Sequence, residues 1–301
     1  PLADLGVVAL DYRGKAGIAT SIGHAPQAAL ADPAAGSVLA IAEALTNLVW
    51  APLKDEIDSV SLSANWMWPC KNPGEDARLY KAVEAASKFA IALGINIPTG
   101  KDSLSMTQKY GADKVYSPGT VIISAGAEVS DIKKVLTPVL VNNPEYPLYH
   151  VDFSFDTLKL GGSAFAQSLN RIGDEVPTVT NPAYFREAFN ALQHCINQGW
   201  LVAGHDISAG GLITTLLEMC FSNTEGGLEI NLDGLAGTDL VNLLFAENPG
   251  VVIQVKQPAK VERYLTDNGI GFAKLGVPTD ERHILVEHEE ATYLFGIDHL
   301  R

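Results

Sequence analysis

Cysteine is scarce in this 301-residue sequence. Cys70, Cys195 and Cys220 are its three, widely spaced, with no C-x-x-C pair and no histidines nearby at zinc spacing. That excludes a disulfide framework and a zinc-finger-like site, and it predicts a reducing, cytosolic compartment. Positive charge is also short: 21 Lys and Arg against 35 Asp and Glu leave a net charge of −14. Without a broad phosphate-neutralising face, no nucleic-acid partner is expected. Long apolar runs are missing, since no stretch reaches the roughly 18 residues of a membrane span. The most apolar segment, residues 38–53, carries Glu43 and Asn47, so no membrane partner is expected either. A basic segment followed by an apolar core, the mark of a secretory leader, is not seen. The sequence opens on Pro1 and runs almost at once into the apolar stretch 5–10, which predicts a piece of something longer.

What is present is ordinary globular composition, 47% hydrophobic and 19% charged, with 27 Gly and 16 Pro. At about 150 residues per domain the length predicts two domains. Strand and helix signals alternate, which predicts a mixed α/β (α+β) architecture. In the first part, strands are expected at 6–12, 57–64 and 121–129. A helix is expected after Asp32-Pro33, with Asp as N-cap and Pro at the first helical position, and a second from 73–76 to Leu93, stopped by Gly94. Breakers at Thr137-Pro138, Asn143-Pro144 and Tyr146-Pro147 place a boundary nearby, giving domains 1–136 and 137–301. The second part shows strands at 148–153, 201–204, 251–255, 272–275 and 283–286, and helices after Gly161-Gly162, over 182–198 and over 212–221.

Three constellations could carry chemistry. Glu43 and Asn47 lie four apart on the first long helix, so a carboxylate and an amide oxygen share one face and could meet a hard cation such as Mg²⁺. An isolated pair of this kind is more often a solvated polar stripe. Its apolar neighbours Ala42, Ala44, Leu45 and Leu48 weigh the other way, because a half-buried carboxylate needs a partner. The stretch Gly204-His205-Asp206-Ile207-Ser208-Ala209-Gly210-Gly211 runs from a strand into a helix. Its glycines would let backbone N–H groups approach a phosphate, leaving Asp206 to hold a metal; equally, Asp206 or Ser208 would serve as a plain helix cap. Because successive strand residues point to opposite faces, His205 and Asp206 are not expected to orient each other as a Ser-His-Asp triad requires. The polar loop 97–106 contains Gly100-Lys101, but Ile95 and Asp102 stand where a Walker motif needs Gly and Ser or Thr. It is either an anion-facing loop offering Lys101 and hydroxyls or a bland turn.

Taken in order, Pro1-Leu2-Ala3-Asp4, Glu43-Ala44-Leu45-Thr46-Asn47, Leu62-Ser63-Ala64-Asn65-Trp66-Met67 and Pro73-Gly74-Glu75-Asp76 are followed by Gly100-Lys101-Asp102-Ser103-Leu104-Ser105-Met106, His205-Asp206-Ile207-Ser208-Ala209-Gly210-Gly211-Leu212 and Phe245-Ala246-Glu247. Over most of its length the chain thus resembles the second half of the synthetase region of the long, single-chain phosphoribosylformylglycinamidine synthase family, in the aminoimidazole ribonucleotide synthetase-like superfamily. Trp66-Met67 and the segment 100–106 argue against related kinase-like members such as thiamine monophosphate kinase or selenophosphate synthetase.

The resemblance implies two mixed α/β domains, a partial N-terminal-type domain that pairs through its strands and a C-terminal-type domain. It implies an ATP-dependent ligase of purine biosynthesis that phosphorylates the amide oxygen of formylglycinamide ribonucleotide and displaces the phosphate with ammonia from a glutaminase domain. Asp4, Glu43, Asn47 and Asp206 would be Mg²⁺ ligands beside ATP or ADP, with Ala3 and Ser208 as nucleotide contacts. Partners would be the remaining synthetase half and the glutaminase domain of the same chain. The family's glycine-rich nucleotide loop, its glutaminase and the opening strands of the first domain have no match in this sequence. The site on this half is one the family holds as structural, so the segment alone is expected to be catalytically silent. It is then either a ligase component or a nucleotide-holding module that stabilises the core.

Overall fold

Asp32 begins the first long helix as the sequence predicts: its carboxylate accepts the N–H groups of Ala34 and Ala35, and Pro33 takes the first helical position. The computed structural model describes residues 2–237 and 239–301; Pro1, which opens the first matching motif, and Thr238 lie outside the described residues. The first half runs β1 (Leu5–Ala9), β2 (Gly17–His24), α1 (Pro26–Ala31), α2 (Pro33–Leu48), β3 (Ser61–Met67), α3 (Glu75–Leu93), β4 (Asn96–Ser103), β5 (Thr107–Tyr110), β6 (Asp113–Tyr116) and β7 (Thr120–Val129). The second half runs β8 (Leu148–Asp152), α4 (Ala164–Ser168), α5 (Pro182–Asn197), β9 (Leu201–Ile207), α6 (Gly211–Phe221), β10 (Gly227–Asn231), α7 (Leu240–Phe245), β11 (Gly250–Val255), α8 (Pro258–Asp267), β12 (Phe272–Thr279), β13 (His283–His288), β14 (Ala291–Gly296) and α9 (Ile297–Leu300).

The first sheet has strand order β1-β2-β7-β3-β4, antiparallel except for the parallel pair β3–β4. Along β2 burial alternates strictly, one face lying on α2 and the other open, with Ile18 and Ile22 exposed. Gly23 lets β2 approach α2, since a Cβ there would collide with the Ala40 and Ala44 backbone. The loop expected at 97–106 is instead largely edge strand β4, held by pairing to β3. The strand expected at 57–64 begins only at Ser61, after a 3₁₀ turn over Glu56–Ser59.

The second sheet has order β14-β13-β10-β12-β8-β11-β9 and is covered on both faces. Alternate residues divide between two cores: Tyr149, Val151 and Ile253 face α5 and α8, while Leu148, Val252 and Ile230 face α6 and α7. The first of these cores continues without a break into the first half, where Phe185 on α5 meets Phe89 on α3 edge-on at 5.7 Å. Gln193, fully buried on α5, donates to the carbonyls of Val49 and Ala51 and accepts the Leu53 N–H at 2.7 Å. Arg186 on the same helix reaches the Leu93 carbonyl and the Asp58 carboxylate. These bonds lock the end of β9 beside β1 and α2, and there the candidate site lies.

Candidate functional site

The start of the chain and the end of β9 meet in a buried ionic cluster. Asp4 Oδ1 is 2.8 Å and Asp206 Oδ1 3.3 Å from His205 Nδ1, while Glu218 of α6 holds Nε2 at 3.0 Å. The side chains of Asp4, His205 and Asp206 are 2%, 7% and 3% exposed. His205 and Asp206 thus do meet, against the expectation from strand alternation. Alternation sets Cβ directions, whereas at the end of β9 both polar tips turn toward Asp4. No serine hydroxyl bonds His205 among the described contacts, so the exclusion of a hydrolase triad stands on that ground instead.

Nδ1 of His205 and the Oδ2 atoms of Asp4 and Asp206 have no hydrogen-bond partner although all are buried. Buried polar atoms left in this state are costly, and one ligand atom from each of Asp4, His205 and Asp206 lies within 4.8 Å of the others, close enough to hold a cation. Burial pushes the Asp4 carboxyl up to about 6, against His205, which favours its charge, with Asp206 adding to the rise. Burial would lower His205, but the Asp206, Asp4 and Glu218 carboxylates that face the ring favour its charged form, override burial and hold it up at about 12.

Glu43 faces the same place from α2. One carboxylate oxygen accepts the His24 N–H at 2.7 Å. Burial pushes this group up to about 8, the His24 bond opposes that, and the charges of Asp206 and Glu247 add to the rise. Asn47, one turn on, donates its amide N–H to the Ile22 carbonyl at 3.0 Å, which leaves Oδ1 as an acceptor. Ser208 lines the adjoining cleft with His24, Glu43, Thr46, Ala209 and Glu247, whereas Ala3 is exposed beside Asp4.

The glycine turn does not hold an open anion seat. Gly210 N–H donates to Glu247 Oε1 at 2.7 Å, the same oxygen that takes the Ala164 N–H at the start of α4, and Gly211 N–H bonds the Ser208 carbonyl. A carboxylate of the chain itself occupies the position expected for phosphate. Neither Asp206 nor Ser208 caps α6, whose N-cap is Gly210 with a φ of 92°. Side chains at 210 and 211 would strike Thr214 and the 244–245 backbone, so the two glycines serve close packing. Glu218 and Glu247 are members of this site that sequence reasoning passed over, and His205 is one that it set aside. The Phe245-Ala246-Glu247 motif was the one available signal for Glu247, His205 stood in the 204–211 stretch but was weighed only for a triad, and nothing local marks Glu218.

The donor set, an amide oxygen and carboxylates whose charge burial disfavours in the absence of a counter-ion, fits a hard divalent cation. Comparison with known proteins agrees with the fold. The FGAR-AT PurM_N-like domain family matches residues 1–128, and the AIR synthase related protein, C-terminal domain family matches 150–289. The phosphoribosylformylglycinamidine synthase of Homo sapiens is 41% identical over 280 residues, covering 92% of this chain and 21% of that protein. The probable phosphoribosylformylglycinamidine synthase, chloroplastic/mitochondrial, of Arabidopsis thaliana is 41% identical over 258 residues, covering 85% and 18%. T. maritima PurL complexed with FGAR superposes with a TM-score of 0.77 at 14% identity, over 99% of this chain and 48% of that one. Thiamine-monophosphate kinase from Stenotrophomonas maltophilia gives 0.60 at 11% identity, over 96% and 92%.

Fold and domain order together define an AIR synthase-like chain with an N-type unit followed by a C-type unit. Within that class, the chain belongs to the phosphoribosylformylglycinamidine synthase family. It spans about a fifth of the length of the curated relatives it matches.

Proposed function

We propose that this chain is the second synthetase half of an ATP-dependent, glutamine-using C–N ligase that converts formylglycinamide ribonucleotide to formylglycinamidine ribonucleotide, and that it contributes a Mg-nucleotide site. The observation that carries this reading is the meeting of Asp4 and Asp206, from the two halves, in one buried cluster with an unpartnered oxygen on each. Asp4, Glu43, Asn47 and Asp206 would hold Mg²⁺, and Ala3 and Ser208 would contact ATP or ADP. When bound, the ion would offset polyphosphate charge that three carboxylates would otherwise repel. The residues of the chain do the rest. The His24 N–H fixes Glu43, the Ile22 carbonyl fixes the Asn47 amide, and Gln193 keeps the two halves in register.

The open face of the first sheet, with Val8, Ile18 and Ile22 exposed, supports pairing with the remaining synthetase half. We take the division into functional units at 136/137, within the Pro-rich connection. Lys101 to Ser105, on exposed β4 and the residues after it, would present a cation and hydroxyls to the anionic ribonucleotide. No helix among the described residues is long and apolar enough to cross a membrane, and the three cysteines are free, which supports a reducing, cytoplasmic setting beside the glutaminase domain.

A second reading has the nucleotide held without turnover. Cage donors come from both halves, so a bound ligand would cross-link them and stabilise the fold by mass action. Asp206→Asn in the intact enzyme separates the two: lost glutamine- and ATP-dependent amidination with normal folding marks chemistry, whereas lost stability at undiminished specific activity marks a scaffold. Absence of any such amidination by the intact wild-type protein would overturn the ligase assignment itself.

A further inference from the structure

A second cavity lies beside the cleft, where the outer face of α1 meets the chain around α4. It measures about 350 Å³, within the range of small-molecule sites. α1 of the first half supplies Gln27 and Leu30, and the segment 162–172 of the second half supplies the rest. Backbone geometry fixes these walls. Gly162, at a φ of 73°, lets its segment lie directly on α1, since a Cβ there would strike the Ala28 backbone, and its N–H donates to the Ile172 carbonyl at 2.6 Å. Asn170 follows α4 in the left-handed conformation, at a φ of 56°, with its N–H on the Gln167 carbonyl at 2.8 Å. The Arg171 N–H then returns to the Ala166 carbonyl at 3.0 Å, which seats Arg171 at the cavity wall.

Among the described residues that line this cavity, Arg171 alone is charged, and its guanidinium makes no ion pair among the described residues. In a chain with 35 acidic and 21 basic residues, a cation in a recess without a carboxylate is set apart from its surroundings. Gln27 Nε2 donates to Gln167 Oε1 at 3.3 Å across the join between the halves, which leaves the Gln167 amide N–H groups as donors. Leu30 and Ile172, 40% and 43% exposed, give the cavity an apolar side. We propose that it binds a small organic oxyanion, a phosphomonoester or a carboxylate, whose charged end takes the Arg171 guanidinium and a Gln167 N–H while its body lies against Leu30 and Ile172. The planar guanidinium matches either anion with two parallel N–H···O bonds. The site stands apart from the cation cage: Glu43 and Glu247 line the cleft and would repel an anion there without a metal, whereas no described residue lining this cavity would. Because both halves build the walls, an occupant would stabilise their join by mass action.

The test uses the intact protein with a chelator present, so that the cleft holds no divalent cation. Saturation-transfer NMR titrations read the binding of phenyl phosphate, of benzoate and, as the uncharged control, of benzyl alcohol, with inorganic phosphate as competitor. The variants are Arg171→Met and Leu30→Glu, both at exposed positions, and Glu43→Gln in the cleft. The difference between the wild-type and Arg171→Met titrations isolates this cavity from any other anion site of the intact protein. The proposal expects at least one of the two anions to bind, benzyl alcohol not to, and inorganic phosphate to compete. It expects a loss of about tenfold or more in Arg171→Met and in Leu30→Glu, with Glu43→Gln binding like wild type. Tighter binding of phenyl phosphate assigns the site to phosphomonoesters, and tighter binding of benzoate assigns it to carboxylates. Failure of both anions to bind, equal binding of benzyl alcohol, or wild-type affinity in a folded Arg171→Met would overturn the proposal. Affinity that changes in Glu43→Gln and not in Arg171→Met would place the anion in the cleft and overturn it as well.

Discussion

Asp4 Oδ1 and His205 Nδ1 stand 2.8 Å apart, one from the segment before β1 and the other from the last turn of chain on β9. That contact joins the two halves of the molecule within a buried cluster of ionisable groups. On the proposed function it couples cation binding to the relative placement of the halves.

The first prediction concerns pH. The folded-state values of Glu43, at about 8, and Asp4, at about 6, lie above the ordinary 4.5 and 3.8. Groups raised on folding give stability that is fully present below the unfolded value and lost as pH rises through the folded one. Without a divalent cation, the melting temperature should therefore fall between pH 4.5 and 8 through the Glu43 contribution. Saturating Mg²⁺ should reduce the fall, and Glu43→Gln should flatten the metal-free profile. A melting temperature that rises over that interval, equally in wild type and variant, would contradict the assignment of burial to Glu43.

Gln193 tests the link between the halves. Its amide serves Val49, Ala51 and Leu53 in a site with no water access. Gln193→Leu keeps the volume and strands three backbone groups, at about 1–3 kcal/mol each. Chemical denaturation should show a loss of at least about 3 kcal/mol, accompanied by weaker cation binding.

Gly204, which precedes His205 on β9, lies against the Trp50 ring, and a Cβ there would run into it. Gly204→Ala should cost about 1–3 kcal/mol by overpacking. Because Trp50 sits between the halves, the variant should also lower metal affinity, which calorimetry on the folded fraction would detect. A neutral result would mean that Trp50 has room to move.

Lys101 is the contrasting case. It is exposed on edge strand β4, so Lys101→Ala should leave stability within about 0.5 kcal/mol. On the proposed function the same change should raise the KM for the ribonucleotide in the intact enzyme, and an unchanged KM would remove Lys101 from the substrate surface.

Much of this was legible in the sequence where the signal is local. The Asp32-Pro33 start of α2 and the Gly94 stop of α3, with its φ of 72°, are caps that residues declare by themselves. The four-residue spacing of Glu43 and Asn47 placed them on one face of a helix the structure contains. Where the outcome depends on distant chain, the sequence was mute. β4, with Pro98 and Gly100, is a strand because β3 supplies its partner, and a Cβ at Gly100 would strike the Ala64 carbonyl. β2 was missed since its small and polar residues alternate in burial only once α2 covers one face. The phosphate expected at Gly210-Gly211 gave way to Glu247, brought there by the turn between α7 and β11. His205 was set aside by a rule about strand faces that its own side-chain reach defeats.

The most direct test of the account is calorimetric titration of ADP and ATP with Mg²⁺ into this protein beside a Glu43→Gln, Asp206→Asn double variant. The account predicts nucleotide binding that requires the divalent cation and is lost in the folded variant. Binding of equal strength in the two proteins, or binding indifferent to the cation, would contradict it.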